Sequence, residues 1–271
     1  MLMNDHPEYP IGVFDSGLGG LTVVKELIHH LPNEKIVYFG DTARVPYGTK
    51  SGETIIRYSQ EIVRALLEYK VKMVVVACNT ASSLALDVLK RSFDLPVLGV
   101  IEPGARKAAE ITRNKRVGII ATSSTVKSGK YAKRIVQLNK DIMVTSQSCP
   151  LFVPLVEEGW FDHKVTYQVA EQYLTDMKRK RVDTLILGCT HYPLLKQVLC
   201  SVMGPRVQLV DSAQEVALQV KEELTNRRLL RTRLGPCRHT FIVTDEPKQF
   251  QRLASRFLGG GVKNVRRHIY V

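Results

Sequence analysis

The chain has 271 residues, 44% hydrophobic and 24% charged, enough for a sizeable core in one large or two small domains. Its five irregularly spaced cysteines, with no Cys-x-x-Cys, argue against a disulfide framework or a structural zinc site and fit reduced thiols in a cytoplasmic setting. The formal net charge of +13 is uneven, with 12 Lys or Arg against 4 Asp or Glu in residues 221–271. No zinc-finger spacing, RNP pattern or heptad array accompanies it.

The opening MLMNDHPEYP lacks the apolar core and basic lead of a signal peptide, and no run reaches membrane-spanning length. Ile11–Phe14 reads as a strand ending at Asp15-Ser16-Gly17-Leu18-Gly19-Gly20. A helix follows, with Leu21, Val24, Leu27, Ile28 and Leu31 on one face. Lys35–Phe39 is a second strand, ending at Gly40-Asp41-Thr42, and Val45-Pro46-Tyr47-Gly48 is a loop. Ser51 caps a helix whose apolar face carries Ile55, Ile56, Ile62, Val63, Leu66 and Leu67. Val71–Ala77 is the third strand, followed by Cys78-Asn79-Thr80 and a helix to about Arg91. Val97–Ile101 is the fourth, ending at Glu102-Pro103-Gly104. Continuous apolar strands alternating with amphipathic helices predict a parallel sheet covered on both faces. Ligands of such sheets bind beyond the carboxyl ends of the strands, here Asp15, Gly40, Cys78 and Glu102.

The pattern then repeats. Ile11-Gly-Val-Phe-Asp-Ser resembles Val117-Gly-Ile-Ile-Ala-Thr, Lys35–Phe39 matches Asp141–Thr145, and the strand ending at Cys78 matches Val182–Cys189. Val97–Glu102 matches Val207–Asp211 approximately. Four strand ends recurring in order predict two similar parallel-sheet α/β domains in tandem. Strands at Phe241–Thr244 and Val265–Val271 flank a helix over Lys248–Leu258, and Ser212 with Glu215 reads as a capping box. The expected division is 1–101 plus 211–271 for the first domain and 102–210 for the second.

Alone, Cys78 reads as a core cysteine, or as a thiol whose pKa a helix N-terminus lowers. The repeat supplies Cys189 as its counterpart. Two facing domains would then put two thiols across one cleft, which suits inversion at carbon: one group removes an α-proton while the other protonates the opposite face.

DSGLGG at 15–20, PYG at 46–48, ACNTAS at 77–82, CPLFVPLVEEG at 149–159 and GCTHYPLL at 188–195 carry a resemblance. They resemble the cofactor-independent glutamate racemases of the aspartate/glutamate racemase superfamily, from about Ile11 onward. The resemblance implies two pseudo-twofold-related domains with the active site in the cleft between them. It implies Cys78 and Cys189 as the catalytic acid/bases, the first acting on D-glutamate and the second on L-glutamate. Asp15 would assist Cys78; His191 and Glu157, with Glu158 as the alternative, would assist Cys189. Asp15, Ser16, Tyr47, Gly48, Asn79, Thr80, Thr190 and His191 would contact substrate. It further implies no cofactor, a cytoplasmic enzyme supplying D-glutamate for peptidoglycan, a homodimer and, in some members, an interaction with DNA gyrase.

Other readings stay beside it. Asp15 serves equally as a helix cap, and Cys189-x-His191 could be half of a metal site, although no metal is expected. Gly17-Leu18-Gly19-Gly20 lacks the spacing of a dinucleotide fingerprint, and no motif marks a lysine for pyridoxal phosphate. Cys149, Cys200 and Cys237 are expected to be structural, and Trp160 with Phe161 to pack. An aspartate racemase is the nearest enzyme alternative. A basic nucleic-acid-binding protein without activity is the remote one, and nucleic acid is not an expected partner.

Overall fold

The computed structural model describes residues 6–233, 235 and 237–270. Among the described residues, ten strands form two sheets. The first contains β1 (Ile11–Asp15), β2 (Ile36–Gly40), β3 (Met73–Val76), β4 (Val97–Gly99), β9 (Thr240–Val243) and β10 (Val265–Arg267). The second contains β5 (Arg116–Ala121), β6 (Met143–Ser148), β7 (Thr184–Gly188) and β8 (Gln208–Asp211). Their orders are β10-β9-β2-β1-β3-β4 and β6-β5-β7-β8, and every pairing is parallel. The first four strands and the next four thus share one order, as the sequence repeat predicts.

The strands form because their apolar runs are covered on both faces: every residue of β1, β2, β3 and β7 is buried. The helix Gly52–Leu67 begins where the Ser51 hydroxyl accepts a hydrogen bond from the Thr54 amide at 3.3 Å, and it buries Ile55, Ile62, Val63 and Leu66. Each such side chain contributes about 1.5–3 kcal/mol by leaving water. One apolar cluster runs through both lobes, joining Leu21, Val24 and Leu27 to Phe152, Leu185, Leu195 and Val216.

Three expectations are corrected. Glu102-Pro103-Gly104 does not end a strand: β4 stops at Gly99, and these residues lie in the helix Ile101–Ile111, where Glu102 pairs with Arg134 and Arg106. The Ser212–Glu215 capping box does not form. Asp211 is the cap, accepting from the Ala213 amide at 3.0 Å, while the Ser212 hydroxyl pairs with Tyr131 at 3.0 Å. The helix after Cys78 is broken at Ala85 into Asn79–Leu84 and Leu86–Ser92. Val271, the expected end of the last strand, lies outside the described residues. No helix among the described residues is long and apolar enough to cross a membrane.

Candidate active site

The carboxyl ends of the two sheets share one cavity of about 330 Å³. The first lobe lines it with Ser16, Tyr47, Gly48, Cys78, Asn79 and Thr80, and the second with Thr122, Ser123, Glu157, Cys189, Thr190 and His191. Ten of the eleven candidate residues therefore meet there. Asp15 does not line the cavity. It lies fully buried behind, accepting from the Gly17 amide at 2.9 Å and, at 3.4 Å, from the Thr190 hydroxyl of the other lobe.

The lobes meet through direct hydrogen bonds around this space. The Tyr131 hydroxyl donates to Asn79 Oδ1 at 2.8 Å, Thr80 pairs with Thr122 at 2.9 Å, and the Ser124 hydroxyl donates to the Gly48 carbonyl at 2.7 Å. Gly19 permits the closest approach. A Cβ there would stand 2.2 Å from Thr190 Oγ1 and 2.5 Å from His191 Nδ1, well inside van der Waals contact.

Each thiol follows the last residues of a central strand, and each is nearly covered, 5% exposed at Cys78 and 6% at Cys189. Cys78 Sγ lies 3.9 Å from Ser16 Oγ. Burial, then the Asp15 carboxylate and Cys189, push Cys78 up to about 12, against the opposing pull of the Ala81 amide and the Ser16 hydroxyl. This reverses the expectation of a lowered thiol: loss of water outweighs the adjacent helix end. Cys189 Sγ is 3.9 Å from His191 Nδ1, and His191 Nε2 donates to Glu157 Oε1 at 3.1 Å. Burial favours the neutral ring, but the hydrogen bonds to Cys189 and Glu157 outweigh it and push His191 up to about 10. Glu158, the alternative to Glu157, is exposed at the end of the helix Phe152–Glu157 and does not line the cavity.

Sequence reasoning missed part of the wall. Thr122 is the repeat's counterpart of Ser16, so the alignment of the two halves held that signal. Pro150, Val153 and Pro154 come from the CPLFVPLVEEG motif, and they face the space as an apolar patch. Of the other cysteines, Cys149 is buried, Cys237 is half-buried and Cys200 is exposed. Trp160 is 43% exposed and lies tilted against the His163 ring, while Phe161 packs against the core.

The family model for Asp/Glu/Hydantoin racemase matches residues 11–220. The chain belongs to that family. This racemase is 53% identical to a glutamate racemase of Geobacter metallireducens over 259 residues, 96% of each chain. A glutamate racemase isoform from Bacillus anthracis superposes on it with a TM-score of 0.94 at 38% identity, covering 97% of this chain and 98% of that one. The glutamate racemase of Francisella tularensis, solved in complex with D-glutamate, superposes at 0.91 and 38% identity, with 97% and 98% covered.

Proposed function

We propose that this racemase interconverts L- and D-glutamate by a two-thiol proton transfer without a cofactor, supplying D-glutamate for peptidoglycan in the cytoplasm. The observation that carries the reading is the pair of buried thiols, one from each of two equivalent strand ends, on one cavity of about 330 Å³. The division 1–101 plus 211–271 against 102–210 accompanies it. It agrees with strands β9 and β10 joining the first sheet.

The hydroxyls of Ser16, Thr80, Thr122 and Thr190 and the Asn79 amide offer donors for two carboxylates, and among the described residues no arginine lines the cavity. A glutamate ammonium entering beside Cys78 and Asp15 brings the positive charge that stabilises a thiolate there. Cys78 then takes the α-proton of D-glutamate, and the Cys189 thiol protonates the opposite face. In reverse, Cys189 is the base, beside a His191 whose pKa is raised by its hydrogen bonds to Cys189 and Glu157. The closed lobes exclude water and hold donors around the developing carbanion.

Chiral chromatography of L-glutamate and L-aspartate incubated separately with the pure protein tests the substrate. Racemised glutamate with unchanged aspartate is expected. Racemised aspartate with unchanged glutamate would move the assignment to the nearest alternative.

A further inference from the structure

Within their own short turn, Tyr47 and Gly48 are held only by the Lys50 amide on the Tyr47 carbonyl at 3.1 Å and the Thr49 hydroxyl on the Pro46 carbonyl at 3.4 Å. Further support comes from the end of β2 and from the last residues of the chain. Asp41, at the end of β2, is fully buried and gathers four partners. Its Oδ2 accepts from the Tyr47 hydroxyl and from Arg44 Nε at 2.6 Å. Its Oδ1 accepts from the Thr244 hydroxyl at 3.1 Å and the Tyr270 hydroxyl at 3.4 Å. Burial and the Asp41 carboxylate push Tyr47 well above the ordinary phenol range, so it remains a donor.

Arg44 is clamped between two rings, its guanidinium carbon 3.8 Å from the centre of Tyr58 and 3.9 Å from that of Tyr270. It also pairs with Glu61 and with the Tyr270 hydroxyl. The turn Thr42–Arg44 is riveted to the strand beside it. Thr42 Oγ1 donates to the Asp245 carbonyl at 2.7 Å, and the Ala43 amide donates to Thr244 Oγ1 at 2.8 Å. On its far side the same loop bridges to the second lobe through the Gly48 carbonyl and Ser124.

We propose that Asp41, Arg44 and Tyr270 form a positioning network for the Tyr47–Gly48 wall of the substrate cavity, so that the segment Val265–Tyr270 serves the site from outside it. The kinetic part rests on the assignment of glutamate as substrate. None of the three residues lines the cavity; they act through Tyr47 and the interlobe bridge. The network also accounts for why the chain returns to the first sheet after the second lobe. β9 and β10 extend that sheet beside β2 and place Thr244 and Tyr270 against Asp41.

The test uses Tyr270→Phe, Tyr270→Ala and Arg44→Lys in the full chain. Tyr270→Phe keeps the ring over Arg44 and loses the hydroxyl; Tyr270→Ala loses both. Tyr270→Ala and Arg44→Lys are expected to raise KM for either enantiomer about tenfold with a smaller change in kcat, because the loop orients substrate without donating a proton. Tyr270→Phe should fall between wild type and Tyr270→Ala. Hydrogen exchange on the free protein supplies a readout that needs no substrate. The amides of Val45 and of residues 47–50, including the Lys50 amide that bonds the Tyr47 carbonyl at 3.1 Å, should exchange faster in Tyr270→Ala, while those of β7 stay unchanged. Unaltered exchange in the loop, or faster exchange across both sheets alike, would overturn the inference. Wild-type protein that leaves glutamate unchanged would overturn the substrate assignment instead, and the exchange data would still decide the network.

Discussion

The two thiol sites occupy equivalent positions of a duplicated sheet, yet their neighbours differ. Beside Cys78, the first lobe places a buried carboxylate, Asp15, where the second lobe has Ala121. Two residues after Cys189, the second lobe places His191, where the first has Thr80. Burial and then the Asp15 carboxylate raise the pKa of one thiol, while the other lies beside an imidazole whose pKa is raised by its hydrogen bonds to Cys189 and Glu157. In the proposed mechanism, the duplication supplies the two groups that act on one carbon from opposite sides. Divergence supplies one lobe with a carboxyl group and the other with an imidazole.

The largest effects should come from removing the symmetric part. Cys78→Ala and Cys189→Ala should each lower kcat/KM by roughly a thousandfold. L- and D-glutamate have equal free energy, so kcat/KM must fall by the same factor in both directions. A variant retaining wild-type kcat/KM would break the equivalence of the two sites. Next, Gly19→Ala forces a methyl group into Thr190 and His191 and should cost about a hundredfold in kcat/KM through a displaced second thiol.

Smaller changes sharpen the asymmetry. Asp15→Asn removes a charge that raises the Cys78 pKa, so ultraviolet titration of its thiolate should shift downward from about 12. Glu157→Gln should lower the His191 pKa from about 10, as read by NMR of the ring protons. An Asp15→Asn shift upward, or none at His191 in Glu157→Gln, would remove the contrast between the two sites. The smallest effect is on stability. His191 binds its proton more tightly folded than at its ordinary 6.5. Its stabilisation is therefore complete below pH 6.5 and lost as pH rises through about 10. Cys78 adds loss of the same sign between its ordinary 9.0 and about 12. Thermal midpoints should fall from pH 7 to 10, and less steeply in Glu157→Gln.

The sheet architecture was legible because parallel strands buried on both faces write continuous apolar runs, and because the duplication wrote them twice. Strand ends with chemistry on them, Cys78 and Cys189, could be paired from spacing alone. What escaped was set by packing between segments far apart in sequence. The acidity of Cys78 depends on its burial among apolar side chains of its own lobe and on Asp15 from another strand, and neither is written in the strand–helix junction, which by itself suggests a low pKa. Glu102 and Ser212 flank the two connections between the lobes. Glu102 falls inside a helix facing Arg134, and Ser212 is taken by Tyr131. Local rules for strand ends and caps do not see either contact. The dependence of Tyr47 on Tyr270 spans more than two hundred residues and leaves no periodic trace.

The central claim is that two thiols act on opposite faces of one α-carbon, and its most direct test is the fate of solvent deuterium. The pure protein, with no cofactor added, would be incubated in deuterated water with L-glutamate and separately with D-glutamate. Circular dichroism would follow inversion, and mass spectrometry of the separated enantiomers would follow label. Two-thiol inversion predicts a signal decaying to zero from both starting enantiomers. It also predicts one deuterium at Cα of the product and little in the recovered substrate at early times. Label appearing equally in substrate and product from the first turnovers, or a signal that stays flat, would contradict it.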